Sequence, residues 1–295
     1  MRIFYLLTAC FFLNKGNTQT LDRWSQVVGW DGISHWSKYM IRMPAYLGPN
    51  ALPVPHIGNG SIDSVFSVAA TGQLYFSKGD NTQNLHIYAN YCLVKNKISF
   101  DVTWVPVEFF NMSDTIKNER HVYYKNYFDK KAKGDLVLNT TINLLNKWRE
   151  KLQLAIRLGV QLPSSSYKGL GAARFMDNMG YYVDVSIGKK LSPSLKWVSM
   201  LGLFVWQIDM DKLRQNDAFL FGTGLEWNKK DWRIQTSVSG YLGYIYKSGD
   251  KPIVYRFNVE KKINRTSLLL GFQQGLQDFK YSSAEFGLKY MIKEK

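Results

Sequence analysis

The residues best placed to do chemistry in this chain are ionisable ones set at every second position among apolar neighbours. Asp101, Arg157, Asp184, Glu226, Arg233, Arg256, Glu285 and Lys289 each stand on the polar side of an alternating stretch. Carboxylates and guanidiniums that share one face of a sheet can pair across a narrow interior and close it, or line a wet path and act on charged solutes. Histidines add acid–base capacity: His35, His56, His86 and His121. In His56-Ile57-Gly58-Asn59-Gly60-Ser61 an imidazole precedes a hydroxyl closely. We expect His56 to cap the approach to the first strand, and His86 to be a satisfied polar residue facing the interior. No catalytic residue is assigned, and the chain is expected not to be an enzyme. Zinc-ligand spacing, a calcium loop and a glycine-rich phosphate cradle are missing from the sequence, so no metal or cofactor is expected.

A second set of charges sits in the breaks between stretches. Lys95, Lys97, Lys147, Arg149, Lys189, Lys190, Lys229, Lys230, Lys261, Lys262 and Arg265 all fall in or beside short, basic connections, and they account for much of the formal net charge of +15. Long basic side chains at a membrane rim anchor against lipid phosphates by snorkelling. The same charges would also dock an acidic partner, or favour anions at a pore mouth.

The elements that must position these groups are strands. Trp232, Ile234, Thr236, Val238, Gly240, Leu242 and Tyr244 alternate with Arg233, Gln235, Ser237, Ser239 and Tyr241. A period of two puts the two sets on opposite faces of a sheet. The chain has no helix-period segments to cover the apolar faces and no apolar run long enough for a membrane helix. A bilayer covers them instead. The expected fold is all-β: a transmembrane antiparallel up-and-down barrel of about twelve strands over residues 61–292, with a short tail at 293–295. The connections alternate tight and basic with longer and polar, which is the pattern of short periplasmic turns and longer outer loops. Trp148, Trp197, Trp227 and Trp232 lie beside the short turns, where an aromatic girdle belongs. The longest connection, Asn111 to Gly134, mixes tyrosines with lysines and is expected to rest in lipopolysaccharide.

The N-terminus is an address. A basic start at Arg2, an apolar run from Ile3 to Leu13 and small polar residues after it predict a cleaved signal peptide over residues 1–18. Leu7-Thr8-Ala9-Cys10 has the form of a lipoprotein box, though the apolar run continues past Cys10. Once the signal is removed Cys92 is the only cysteine, which rules out an internal disulfide. Export also removes nucleic acid from the partners that a basic chain would meet.

Residues 19–60 do not alternate. They hold Trp24, Trp30, Trp36 and Tyr46, then a proline-rich run through Pro49, Pro53 and Pro55. Proline forces an extended path with few backbone donors. This segment is expected to be a linker, a plug in the lumen, or a strap on the periplasmic rim that docks a partner.

Over roughly residues 61–292 the chain resembles outer-membrane β-barrel proteins of Gram-negative bacteria, of the Bacteroidota type. Phe286-Gly287-Leu288-Lys289-Tyr290-Met291-Ile292 is similar to the closing strand by which such proteins are recognised for insertion, although Lys293-Glu294-Lys295 follows in place of a terminal aromatic. The segment from His56 to Gly60 resembles the His-x-x-Asn-Gly arrangement of outer-membrane phospholipase A, without that family's serine spacing. The resemblance implies the bacterial outer membrane as location, with its lipid and lipopolysaccharide as surroundings. The leading functional expectation is a narrow passive channel for small solutes, with a preference for anions. The alternative is a non-catalytic accessory subunit that docks other outer-membrane or periplasmic proteins through residues 19–60 and the basic rim. A lipid-modifying enzyme is the minor one.

Overall fold

A computed structural model of the protein describes residues 25–26, 28–122, 130–147, 152–208, 214–245 and 249–292. The expected signal peptide, Trp24, Arg149 and the tail after 292 lie outside the described residues.

The chain forms one antiparallel sheet that closes on itself. Its strands are β1 (Ser67–Phe76), β2 (Asp80–Val94), β3 (Ile98–Met112), β4 (Lys131–Ala132), β5 (Leu136–Lys147), β6 (Leu152–Leu162), β7 (Gly180–Lys190), β8 (Leu195–Gln207), β9 (Gln215–Lys229), β10 (Trp232–Gly243), β11 (Ile253–Ile263), β12 (Thr266–Gln277) and β13 (Ser282–Met291). Apart from β4, each pairs with the next along the chain, β3 pairing with β5, and β1 pairs with β13, from Ser67 opposite Met291 to Phe76 opposite Ser282. Twelve strands make the wall. The two-residue β4 is an addition that pairs with the upper end of β3, so the connection expected as a plain loop is partly ordered. It also holds a short helix α1 (Asp114–Glu119), capped by Ser113, whose Oγ accepts from the Ile116 amide.

The first strand begins at Ser67, later than the expected position 61. In residues 59–65 side chains take over the roles of a ladder. Asn59 Oδ1 accepts from the Ser61 amide, and Asn90 Nδ2 donates to the carbonyls of Asp63 and Val65.

Alternation decides which face each residue takes. Along β10, Ser237, Ser239 and Tyr241 are buried inside, while Trp232 and Leu242 are exposed outside. Leu158, Tyr181, Leu201, Leu203, Phe257 and Phe286 are likewise exposed on the outer face. In a bilayer that surface is covered by lipid, which also demands that its hydroxyls be bonded. Trp197 Nε1 donates to Thr223 Oγ1 at 3.0 Å, Ser199 Oγ to the Gly222 carbonyl at 3.0 Å, and Thr236 Oγ1 to the Tyr255 hydroxyl at 3.1 Å. Cys92 is buried on the inner face of β2. Tight turns close one rim, helped by Asn96, Lys230 and Asn264, which adopt the left-handed backbone that such turns need. The long connections close the other rim.

The interior is filled by residues 36–64. Short 3-10 turns at Trp36–Tyr39 and Pro44–Tyr46 lie at the loop rim, and the chain then descends in extended form to the turn rim. Trp36, Met40, Met43, Leu47, Ala51, Leu52, Val54 and Ile57 join the buried apolar cluster with Phe204, Trp206 and Tyr241 from the wall.

Candidate functional site: the plugged lumen

The plug's chemistry follows from its prolines. Pro44, Pro49, Pro53 and Pro55 have no N–H, and an extended segment leaves its carbonyls unpaired. The barrel supplies the missing donors, one height after another. Trp206 Nε1 donates to the Arg42 carbonyl at 3.3 Å. Gln161 Nε2 reaches the Ala51 carbonyl at 2.7 Å, and the Tyr241 hydroxyl that of Leu52 at 2.9 Å. Arg256 holds Val54 at 2.6 Å and Pro55 at 3.2 Å, and Arg157 Nη2 holds His56 at 2.9 Å. Two glycines let the plug touch the wall: a Cβ on Gly58 would stand 2.6 Å from Ser186 Oγ, and one on Gly60 2.5 Å from the Gly188 nitrogen.

At the loop rim the lumen is shut by a buried ionic latch. Asp80 Oδ2 accepts from Arg174 Nη1 at 2.5 Å, from Arg120 Nη1 at 2.6 Å and from the Tyr281 hydroxyl at 2.5 Å. Arg174 Nε also donates to Glu108 Oε1 at 2.7 Å, and Asn50 of the plug donates to Glu108 Oε2 at 2.6 Å. Two guanidiniums face two carboxylates, so the buried charges balance. Below the latch Asp135 accepts from Gln161 Nε2 and from the amides of Ser164 and Ser165, while burial pushes its pKa up to about 6.

The middle of the lumen is hollow. A cavity of about 410 Å³ runs between the plug and the wall, from Asn50, Asp135 and Phe175 down past His56, His86 and Arg256 to Asp101. A second space of about 430 Å³, near Asp63, Asn90, Glu260 and Lys289, lies towards the turn rim. The two share Gly58, Ser61, Tyr88, Asp101 and Thr141 as lining, so they are neighbouring parts of one path.

The eight charged residues singled out as interior candidates all take the inner face. Arg157 pairs with Asp184 at 2.8 Å, Arg233 with Glu226 at 2.6 Å, and Lys289 with Asp63 of the plug's lower end at 2.9 Å. Glu226 takes a further partner in Lys196 at 3.2 Å. Arg256 is bonded to plug carbonyls, Ser239 and Gln273, Asp101 to Asn139, and Glu285 to Gln73. Of the basic set, Lys95, Lys97, Lys189, Lys229, Lys230, Lys262 and Arg265 are exposed at the turn rim, with Lys190 and Lys261 half-buried there. Lys147 ends β5 at the same rim. Lys261 Nζ lies 4.6 Å from the Trp232 ring centroid, a rim cation resting on a girdle aromatic. Of the N-terminal set, Trp36 is buried and Trp30 and Tyr46 half-buried at the loop rim, while Pro49, Pro53 and Pro55 line the inner cavity.

Two groups differ from the sequence expectation or were missed by it. His56 does not cap a strand: it stands on the plug within the lumen, and Ser61 lies lower on the same segment, both away from the lipid face. The latch was not foreseen, because Arg120 and Arg174 sit in connections and nothing local marks them as buried. The one available signal was an isolated arginine beside Ala172, Ala173, Phe175 and Met176, an apolar stretch unsuited to a solvated loop.

No protein-family model matches the sequence, and no curated protein matches it. Among solved structures, an outer membrane channel from Pseudomonas putida F1 superimposes with a TM-score of 0.57 at 10% identity, over 81% of this chain and 100% of its own. The NanC porin superimposes with a TM-score of 0.50 at 9% identity, over 76% of this chain and 100% of the porin. The fold is that of the outer-membrane β-barrels. At these identities the likeness is one of architecture alone.

Proposed function

We propose that this outer-membrane barrel is a plugged channel for small solutes, closed in the described state by residues 36–64. The observation that carries the reading is the pair of adjoining cavities beside the plug, which lead from the turn rim towards the latch. Removal of the latch and withdrawal of the upper plug would join them to the loop rim. The two fold neighbours named above are a channel and a porin, which makes conduction the activity to test first. Basic side chains at the turn rim favour anions at that mouth.

Planar bilayers provide the test. The full-length protein should give little conductance, and a variant lacking residues 36–55 should give steady steps. Silence of a correctly folded deletion variant would end the channel reading.

A second reading rests on the turn rim alone. Most of its lysines are exposed, and Lys261 meets Asp231 only loosely, at 3.9 Å. Such a surface suits an acidic periplasmic protein, with the barrel as its anchor. Extraction in mild detergent should then recover a partner that Lys229→Glu/Lys230→Glu releases. Recovery of the wild type as a lone monomer would exclude it.

A further inference from the structure

The cavity beside the plug has chemistry that holding the plug does not use. Its guanidiniums are largely committed. Arg256 donates to two plug carbonyls, to Ser239 Oγ and to Gln273 Oε1, and Arg157 to Asp184 and the His56 carbonyl. Its carboxylates are not. Asp101 accepts a single hydrogen bond, from Asn139 Nδ2 at 2.8 Å, and Glu285 a single one, from Gln73 Nε2 at 2.8 Å. Both donors are uncharged amides, and neither acid has an ion-pair partner among the described residues. The His56 ring is exposed to the cavity although it stands deep in the barrel, and it has no hydrogen-bond partner among the described residues. His86 has only Thr71 Oγ1, at 3.5 Å.

A wall whose guanidiniums are committed and whose two carboxylates are not suits a ligand that brings donors and positive charge. We propose that this cavity binds a small organic ammonium ion, an amine of a few carbons, with Asp101 and Glu285 as its counter-ions and Tyr88 beside them. The volume of about 410 Å³ lies at the small end of ligand cavities and sets the size of the guest. In the lower space Glu260 stands opposite Arg233 in the ladder and Asp63 pairs with Lys289, so its acids have cations beside them and the guest belongs to the upper cavity. The protein carries a formal charge of +15, so cations have no general attraction to its surface, and saturable uptake of an amine would report on the interior. The inference stands on the cavity and requires no conduction.

The test is calorimetric titration of the full-length protein in detergent, with putrescine as probe and succinate as its size-matched anion. Putrescine should bind saturably, one per barrel. Asp101→Asn/Glu285→Gln should weaken it by at least tenfold, while Lys229→Glu/Lys230→Glu at the rim should leave it unchanged. These substitutions preserve shape, and a heat-modifiable gel mobility certifies that each variant is folded; should the pair fail that check, Glu285→Gln alone is read in its place. Absence of saturable putrescine binding, tighter binding of succinate, or affinity that survives in the folded variant would each overturn the proposal. Bilayer silence of the plug-deletion variant, by contrast, bears on the channel alone.

Discussion

Arg256, on the inner face of β11, donates from Nη2 to the carbonyl of Val54 at 2.6 Å, and from Nη1 to the next carbonyl, Pro55, at 3.2 Å. One wall side chain thus reads two consecutive main-chain groups in a stretch where prolines cannot pair them locally. The contact depends on backbone path and not on plug side chains, so it fixes the height at which the segment hangs.

Arg256→Met should therefore loosen the plug without opening the wall. Charged donors to buried carbonyls contribute about 1.5–3 kcal/mol each, and their loss leaves both carbonyls unsatisfied. Hydrogen exchange at the Leu52 and Ile57 amides should accelerate by at least tenfold, with the strands of β10 and β11 still protected. Equal rates in wild type and variant would show that the plug is held elsewhere.

The latch should behave as a charge unit. Arg174→Met leaves fully buried Glu108 without a cation and Asp80 with Arg120 as its one remaining cation, at a cost of about 3–5 kcal/mol. Arg174→Lys should recover little, because a single ammonium cannot reach both acids as the guanidinium fork does. Adding Glu108→Gln to Arg174→Met should restore part of the loss, a coupling that a double-mutant cycle on heat-modifiability midpoints would measure. Strict additivity would mean the charges act independently.

Two glycines with similar backbones separate strain from contact. Gly60 (φ +77) and Gly32 (φ +76) both favour glycine, yet a Cβ on Gly60 meets Gly188 and Gln153 main-chain atoms, whereas one on Gly32 meets nothing within 4 Å. Gly32→Ala should cost about 1–2 kcal/mol from the left-handed backbone alone. Gly60→Ala should cost at least twice that and displace the lower plug, seen as faster exchange at Ser61. Equal costs in urea unfolding would refute the close contact.

Asp135 makes a pH prediction with a definite sign. Its folded pKa is raised to about 6 by burial, against about 3.9 unfolded, so the folded state binds this proton more tightly. Its contribution to stability therefore grows as pH falls from 7 towards 4 and is constant below that. Asp135→Asn should flatten this part of the profile. A wild-type profile that falls between pH 7 and 5, with the variant's flat, would reverse the assignment.

How much of this was legible in the chain differs by residue. The inward side of Arg157, Asp184, Arg233 and Arg256 follows from alternation, because a strand's parity is local and one residue of slip would put a charge into lipid. The turn lysines are as local, being tied to the tight breaks. What Arg120 and Arg174 do is not: they meet Asp80 from 40 and 94 residues away, across connections with no period to read. The four prolines of the plug announce an extended, donor-poor segment, but its place in the lumen depends on which wall donors the closed register brings to the same height.

Alternation and turn spacing alone carry a membrane-spanning barrel of about twelve strands, its polar inner face and its basic rim. These properties rest on period two and on short turns, which neighbouring residues enforce. Nothing local announces that residues 36–64 fill the lumen, that it is latched at the loop rim, or that Asp101 and Glu285 keep only amide partners beside a cavity. Those outcomes belong to ring closure. Side chains far apart in the chain come face to face across the lumen, and their pairing is set by the register of twelve strands taken together.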